Sequence, residues 1–136
     1  MGHWQYVLLQ YVWVSLGGGL GALARYALGG WIAGRAGTAF PLHTFLINVT
    51  GSLVIGVLLT LLTERFEVDP AWRLFLVVGF LGGYTTFSSY TFEGLTLLQA
   101  GEWGRAAWYV LGSNGLGLAA CFLGIVLARL LTVERG

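Results

Sequence analysis

Four long apolar stretches leave this chain few ways to fold. They run from about 4 to 31, 41 to 63, 70 to 99 and 103 to 131 of the 136 residues, with charge gathered mostly at their ends. About 20 apolar residues in a helix cross the hydrocarbon layer of a bilayer. Only 10% of the residues are charged and 57% are hydrophobic, whereas a soluble domain carries about 25% charge. A chain this short cannot hide so much apolar surface within itself. The expectation is an all-α integral membrane protein: a single domain, residues 1–136, of four transmembrane helices joined by short loops.

The third stretch contains the anomaly. Gly79-Phe-Leu-Gly82-Gly83-Tyr-Thr85-Thr86-Phe87-Ser88-Ser-Tyr90-Thr-Phe-Glu93 lies in the middle of membrane-grade sequence. Glycine carries the largest backbone entropy cost in a helix, and short hydroxylated side chains compete for backbone hydrogen bonds. Within a bilayer, backbone that leaves the helix is tolerated only where protein buries it or where it lines a polar cavity. A break in the third helix is therefore expected, and a break at that depth marks a candidate site. At about 30 residues, the stretch is long enough to accommodate one.

Polar residues on two other spans repeat at helical spacing. Thr44, Asn48 and Ser52 fall at i, i+4 and i+8, which places them on one face of the second helix. Tyr109, Ser113 and Gly117 do the same on the fourth, with Asn114 beside them. Such tracks serve either as hydrogen bonds between helices or as the lining of a polar path. Glu93 is the one acid inside a span. It reads either as a partner for Arg25 or a hydroxyl, or as a proton or cation site.

Much chemistry is missing. Cys121 is the only cysteine and lies in an apolar run, which excludes an internal disulfide and a multi-cysteine metal site. His3 and His43 have no Cys, Asp or Glu at ligand spacing, and the glycine patterns follow no βαβ unit. No catalytic constellation is present, and a net charge of +1 gives no reason to expect a nucleic-acid partner. What remains is a set of neutral donors, which suits a small, strongly hydrated anion that must bind but also leave. The edges of the Phe87 and Tyr90 rings could assist, being the positive part of the aromatic quadrupole. Carbonyls freed by a break could equally hold a hard cation such as sodium.

All seven cations are arginine. With four crossings, Arg65, Arg73, Arg129 and Arg135 lie on one side, and Arg35 and Arg105 on the other, with Arg25 if it snorkels that way. A split this even leaves orientation undecided. Copies inserted both ways up could then pair as an antiparallel homodimer, two-fold pairing being the commonest assembly.

Three segments together resemble the fluoride channel family known as Fluc or CrcB. They are Gly18-Gly-Leu-Gly-Ala-Leu-Ala-Arg25-Tyr26, Phe45-Leu-Ile-Asn48-Val-Thr-Gly51-Ser52 and the Gly79–Ser88 motif, in matching order and spacing over nearly the whole chain. The resemblance implies an antiparallel, dual-topology homodimer in the cell inner (plasma) membrane, with two pores that pass fluoride out of the cytoplasm. It implies pore roles for Asn48, Thr86, Phe87, Ser88, Tyr90, Tyr109 and Ser113, with Asn48 donating its amide to the ion. Tyr90 departs from the phenylalanine usual at its position, and Gly117 stands where some members have a serine. The resemblance also implies a structural sodium ion at the dimer interface, held by the backbone carbonyls of Gly82 and Thr85 from both copies. Arg25 would be a vestibule or structural charge; Glu93, read from its place in the span, is assigned the same vestibule or structural role. The partners implied are fluoride, sodium, membrane lipid and a second copy of the chain.

Two other classes compete. A small dual-topology proton-coupled drug or cation exporter wants a membrane-embedded acid, typically in the first span, but here that span carries Arg25 and no acid. A non-transporting assembly subunit would leave the polar tracks idle.

Overall fold

The computed structural model describes residues 2–133, which leaves Arg135 of the charge comparison outside the described residues. Helix α1 spans His3–Ala36, α2 Leu42–Glu64 and α6 Trp103–Val133. These three are long and apolar enough to cross a membrane, with mean hydropathies of 1.5, 2.3 and 2.0. Between α2 and α6 the chain crosses in pieces. A short α3 (Pro70–Arg73) leads into a π-helical segment (Leu74–Leu81), then α4 (Gly82–Tyr84) and, after an interruption, α5 (Phe87–Gln99). The molecule is all-helical and multi-pass, with its third crossing bent.

Local sequence sets the ends. The Asp69 carboxylate accepts a hydrogen bond from the Ala71 amide at 2.8 Å and Pro70 occupies the first helical position, as an N-cap followed by proline should. Pro41 sits one residue outside α2, so that helix begins at Leu42. Gly37 and Gly101 turn the chain after α1 and α5 with φ of 74° and 76°, a conformation that glycine adopts without steric cost.

The break is narrower than the run of glycines and hydroxyls suggests. Only Thr85 and Thr86 are extended, with φ/ψ of −81°/156° and −146°/116°. Gly79 and Gly83 stay helical because α1 lies against them, and Gly82, exposed between them, stays helical too. A Cβ on Gly17 would overlap the Phe75 carbonyl oxygen, one on Gly21 the Phe80 carbonyl, and one on Gly83 the Gly18 carbonyl. Small residues on both helices let the backbones touch, and that packing offsets the entropy cost of glycine within the helix. A second close pair joins α2 to α6, where a Cβ on Gly56 would overlap the Cys121 carbonyl and one on Gly124 would lie 3.0 Å from the Val57 amide nitrogen. At one end of this pair Arg129 forks onto Glu64, with Nε donating to Oε2 at 3.1 Å and Nη2 to Oε1 at 2.6 Å.

Little of the chain is buried within one copy. Tyr109, Ile47, Ala106, Ala128 and Thr44 are enclosed, while Tyr26, Trp4 and Phe87 are 82%, 77% and 77% exposed. Apolar surface on this scale belongs against lipid or another protein surface.

Candidate functional site

The site is built on the interruption at Thr85–Thr86. A continuous helix would turn the Thr86 amide back to the Gly82 carbonyl. Instead Asn48 takes both polar groups of Thr86: its Oδ1 accepts from the Thr86 amide at 2.8 Å and its Nδ2 donates to the Thr86 carbonyl at 3.0 Å. A side-chain amide from α2 thus supplies the acceptor that the Thr86 amide loses at the break, as backbone inside a membrane requires, and adds a donor to a carbonyl that also begins α5 as its N-cap. One N–H of Nδ2 is left over. Thr86 also caps α5, its Oγ1 accepting from the Ser89 amide at 3.3 Å and donating to Ser89 Oγ at 3.1 Å. The N-terminus of α5 therefore opens at the break, and that end of a helix favours negative charge.

Two cavities meet there. The first, of about 400 Å³, is lined by Asn48 and Ser52 of α2, Thr85, Thr86, Phe87 and Tyr90 around the break, and Ser113 and Asn114 of α6. Ser52 Oγ is spent on the Asn48 carbonyl at 2.8 Å, whereas Ser113 Oγ is buried without a partner among the described residues. The Phe87 and Tyr90 rings lie 5.7 Å apart at 45°, and Tyr90 lies 5.4 Å from Tyr109. The second cavity, about 590 Å³, lies between the end of α1, the start of α2 and α5, with Arg25, His43, Thr44, Ser89 and Glu93 in its walls. Thr86 lines both.

Not every residue singled out from the sequence reaches the first cavity. Tyr109 is fully buried behind Tyr90, with its hydroxyl donating to Glu93 Oε2 at 2.6 Å. Ser88 is exposed and lines neither cavity; among the described residues its side chain hydrogen-bonds only Thr86 Oγ1, at 3.4 Å. Thr44, expected on the Asn48 face, lies in the wall of the second cavity and donates to Glu93 Oε1 at 2.9 Å. Glu93 is not paired with Arg25. Both of its oxygens take hydroxyls, and His43 Nε2 lies 3.3 Å from Oε1. Arg25 instead donates from Nε to the Gly83 carbonyl at 3.0 Å, which pins α1 to the helix just before the break.

The break also frees acceptors. The amides that would meet the Gly82 and Thr85 carbonyls in a continuous helix, those of Thr86 and Ser89, are turned to Asn48 Oδ1 and Thr86 Oγ1. Both residues line the first cavity and Gly82 is exposed. Carbonyl oxygens without helical donors are hard ligands, and their chemistry fits sodium.

Sequence reasoning missed two contacts. His43 reaches Glu93, fifty positions away, and no linear pattern announces that. Asn114 bonds Tyr90 across α5 and α6 (Nδ2 to hydroxyl, 2.7 Å). Asn114 stands beside the i, i+4 track on α6, but spacing along one helix does not give its partner on another.

Residues 12–125 match the profile of a family described as CrcB-like protein, Camphor Resistance. The chain is 50% identical over 121 residues to a protein of Acidobacterium capsulatum named fluoride-specific ion channel FluC, covering 89% of this chain and 97% of that one. Proteins of the same name from Koribacter versatilis and Thermus thermophilus are 54% and 51% identical, over 82% and 85% of this chain and 88% and 90% of theirs.

Proposed function

Because the chain belongs to the CrcB-like family, we propose that it is a fluoride-specific ion channel, a passive pore and not an enzyme. The observation that carries this reading is the Thr86 junction. There the start of α5, the spare N–H of Asn48 and the unpartnered hydroxyl of Ser113 surround or adjoin one cavity, and no fixed cation lines it. Fluoride holds its water strongly, and hydrogen bonds must replace that water. Neutral donors do so without holding the ion too tightly to leave. In this reading Asn48, Thr86, Phe87, Tyr90 and Ser113 form the conducting wall. Arg25 and Glu93 shape the second cavity as its vestibule. Tyr109 acts from behind Tyr90, and Ser88 contributes at the outer edge of the break.

The direction of flow follows from acid–base chemistry. Hydrogen fluoride crosses bilayers as a neutral acid and dissociates at cytoplasmic pH, trapping the anion inside. A negative interior drives the anion out with about 2.3 kcal/mol per charge per 100 mV. An open pore needs no other energy source.

The exposed face around Phe87 and Gly82 needs a partner, and the even arginine split allows an inverted second copy. We place an antiparallel homodimer across this face, with the Gly82 and Thr85 carbonyls of both copies holding a structural sodium ion. Sodium there would tie the two broken helices together.

Purified protein in liposomes loaded with potassium fluoride and made conductive with valinomycin should release fluoride and far less chloride. Phe87→Ile should abolish release while the dimer persists on gel filtration. Equal release of both anions, or none from the unaltered protein, sinks the reading. The exporter alternative is disfavoured by Glu93: a coupling acid must exchange its proton with substrate, but both oxygens here are occupied by hydroxyls.

A further inference from the structure

Asn114 is a polar side chain in mid-helix, and it is exposed within one copy. Its Nδ2 donates twice, to the Val110 carbonyl at 2.8 Å and to the Tyr90 hydroxyl at 2.7 Å. A carbonyl oxygen only accepts, so Val110 fixes which end of the amide is NH2. With both N–H groups spent in this way, the Tyr90 oxygen is an acceptor. Its own hydrogen donates to no group among the described residues and must turn away from Asn114. The ring cannot swing freely to relieve this, packed as it is between Phe87 at 5.7 Å and Tyr109 at 5.4 Å.

Next to Asn114, Ser113 presents a second unspent hydroxyl, buried and without a partner. A serine in a helix commonly bonds the carbonyl four residues back, and this one does not. Tyr90, Ser113 and Asn114 all line the first cavity. That wall therefore carries two O–H donors with no acceptor among the described residues.

We infer that the Tyr90 hydroxyl, held as an acceptor by Asn114, donates to the anion in the first cavity and forms with Ser113 a two-hydroxyl subsite for a small, hard anion. The inference rests on the fluoride-channel reading and adds a specificity-determining residue to it. Asn114 is then a positioning residue, since it orients the donor without touching the ion. Short hydrogen bonds to a compact, concentrated charge are the strong ones, so the subsite favours fluoride over larger halides.

The test measures initial fluoride efflux from liposomes against internal fluoride concentration. The readout is the half-saturating concentration, which loss of folded protein does not move because fewer active channels lower only the maximal rate. Tyr90→Phe, which keeps the ring and removes only the hydroxyl, should raise that concentration about 3- to 10-fold. Asn114→Leu should raise it by less, and adding Asn114→Leu to Tyr90→Phe should change nothing more. An unchanged half-saturating concentration in Tyr90→Phe overturns the inference, as does additivity of the two substitutions. If Tyr90→Phe does not assemble, an unchanged value in Asn114→Leu overturns it alone. Failure of the unaltered protein to pass fluoride at all would instead overturn the reading beneath it.

Discussion

Asn48 replaces the helical acceptor that the Thr86 amide has lost and also donates to the Thr86 carbonyl, meeting both polar groups from a neighbouring span. Each bond is worth about 1 kcal/mol net, and a buried group left unpaired costs about 1–3 kcal/mol. Asn48→Asp keeps the acceptor for the Thr86 amide, loses the donor for its carbonyl, and puts a negative charge where an anion must pass. We expect fluoride efflux to fall at least a hundredfold with the dimer intact. Normal efflux from an assembled Asn48→Asp protein would separate Asn48 from the pore. At this scale the sequence was informative about which residues matter and poor on what they touch. The i, i+4, i+8 track led to Asn48, because helical spacing is a property of the chain itself. The partner of Glu93 could not be read, because Thr44, His43 and Tyr109 are brought to it only by the packing of three helices.

Helix pairs here are held by absent side chains. The α1 contact with the π-helical segment and the α2 contact with α6 both depend on glycines whose Cβ atoms would collide with backbone, and backbone cannot move aside as a side chain can. Gly124→Val should therefore separate α2 from α6, destabilising the protein by about 3 kcal/mol or more, at or beyond the upper end of ordinary overpacking. Gly104→Ala, where nothing lies within 4 Å, should leave stability unchanged or raise it by up to about 1 kcal/mol. Thermal unfolding in detergent distinguishes the two, and equal midpoints would show that the close approach is not limiting. The element boundaries were readable to within a few residues because hydropathy and the Asp69–Pro70 cap are local signals. The position of the break within the third crossing was not. Composition marks all of Gly79–Glu93 as weak helix, but contact with α1 keeps Gly79 and Gly83 helical, and the residues that turn extended are Thr85 and Thr86.

At the scale of the molecule, the even distribution of arginine predicts insertion in both orientations. With Cys121 replaced by serine, a cysteine placed at Thr38 should react with a membrane-impermeant maleimide in about half of the copies on intact cells. Labelling of all copies, or of none, would overturn dual topology. Changing Glu67 and Val68 to arginine should then bias the population to one orientation and, if pairing is antiparallel, lower fluoride resistance with it. One chain encloses few of its large apolar side chains, so assembly and lipid, more than an internal core, hold the fold in place.

The two cavities share a single residue, and what Asn48 grips there is the main chain of Thr86. Every residue type carries the same amide and carbonyl, proline alone lacking the N–H. Substitution can reshape the walls on either side of this junction, but it reaches the junction itself only through the asparagine opposite. Divergence within such a family should therefore accumulate in the flanks of the pathway, and a route for ions can outlast wide change in the residues around it.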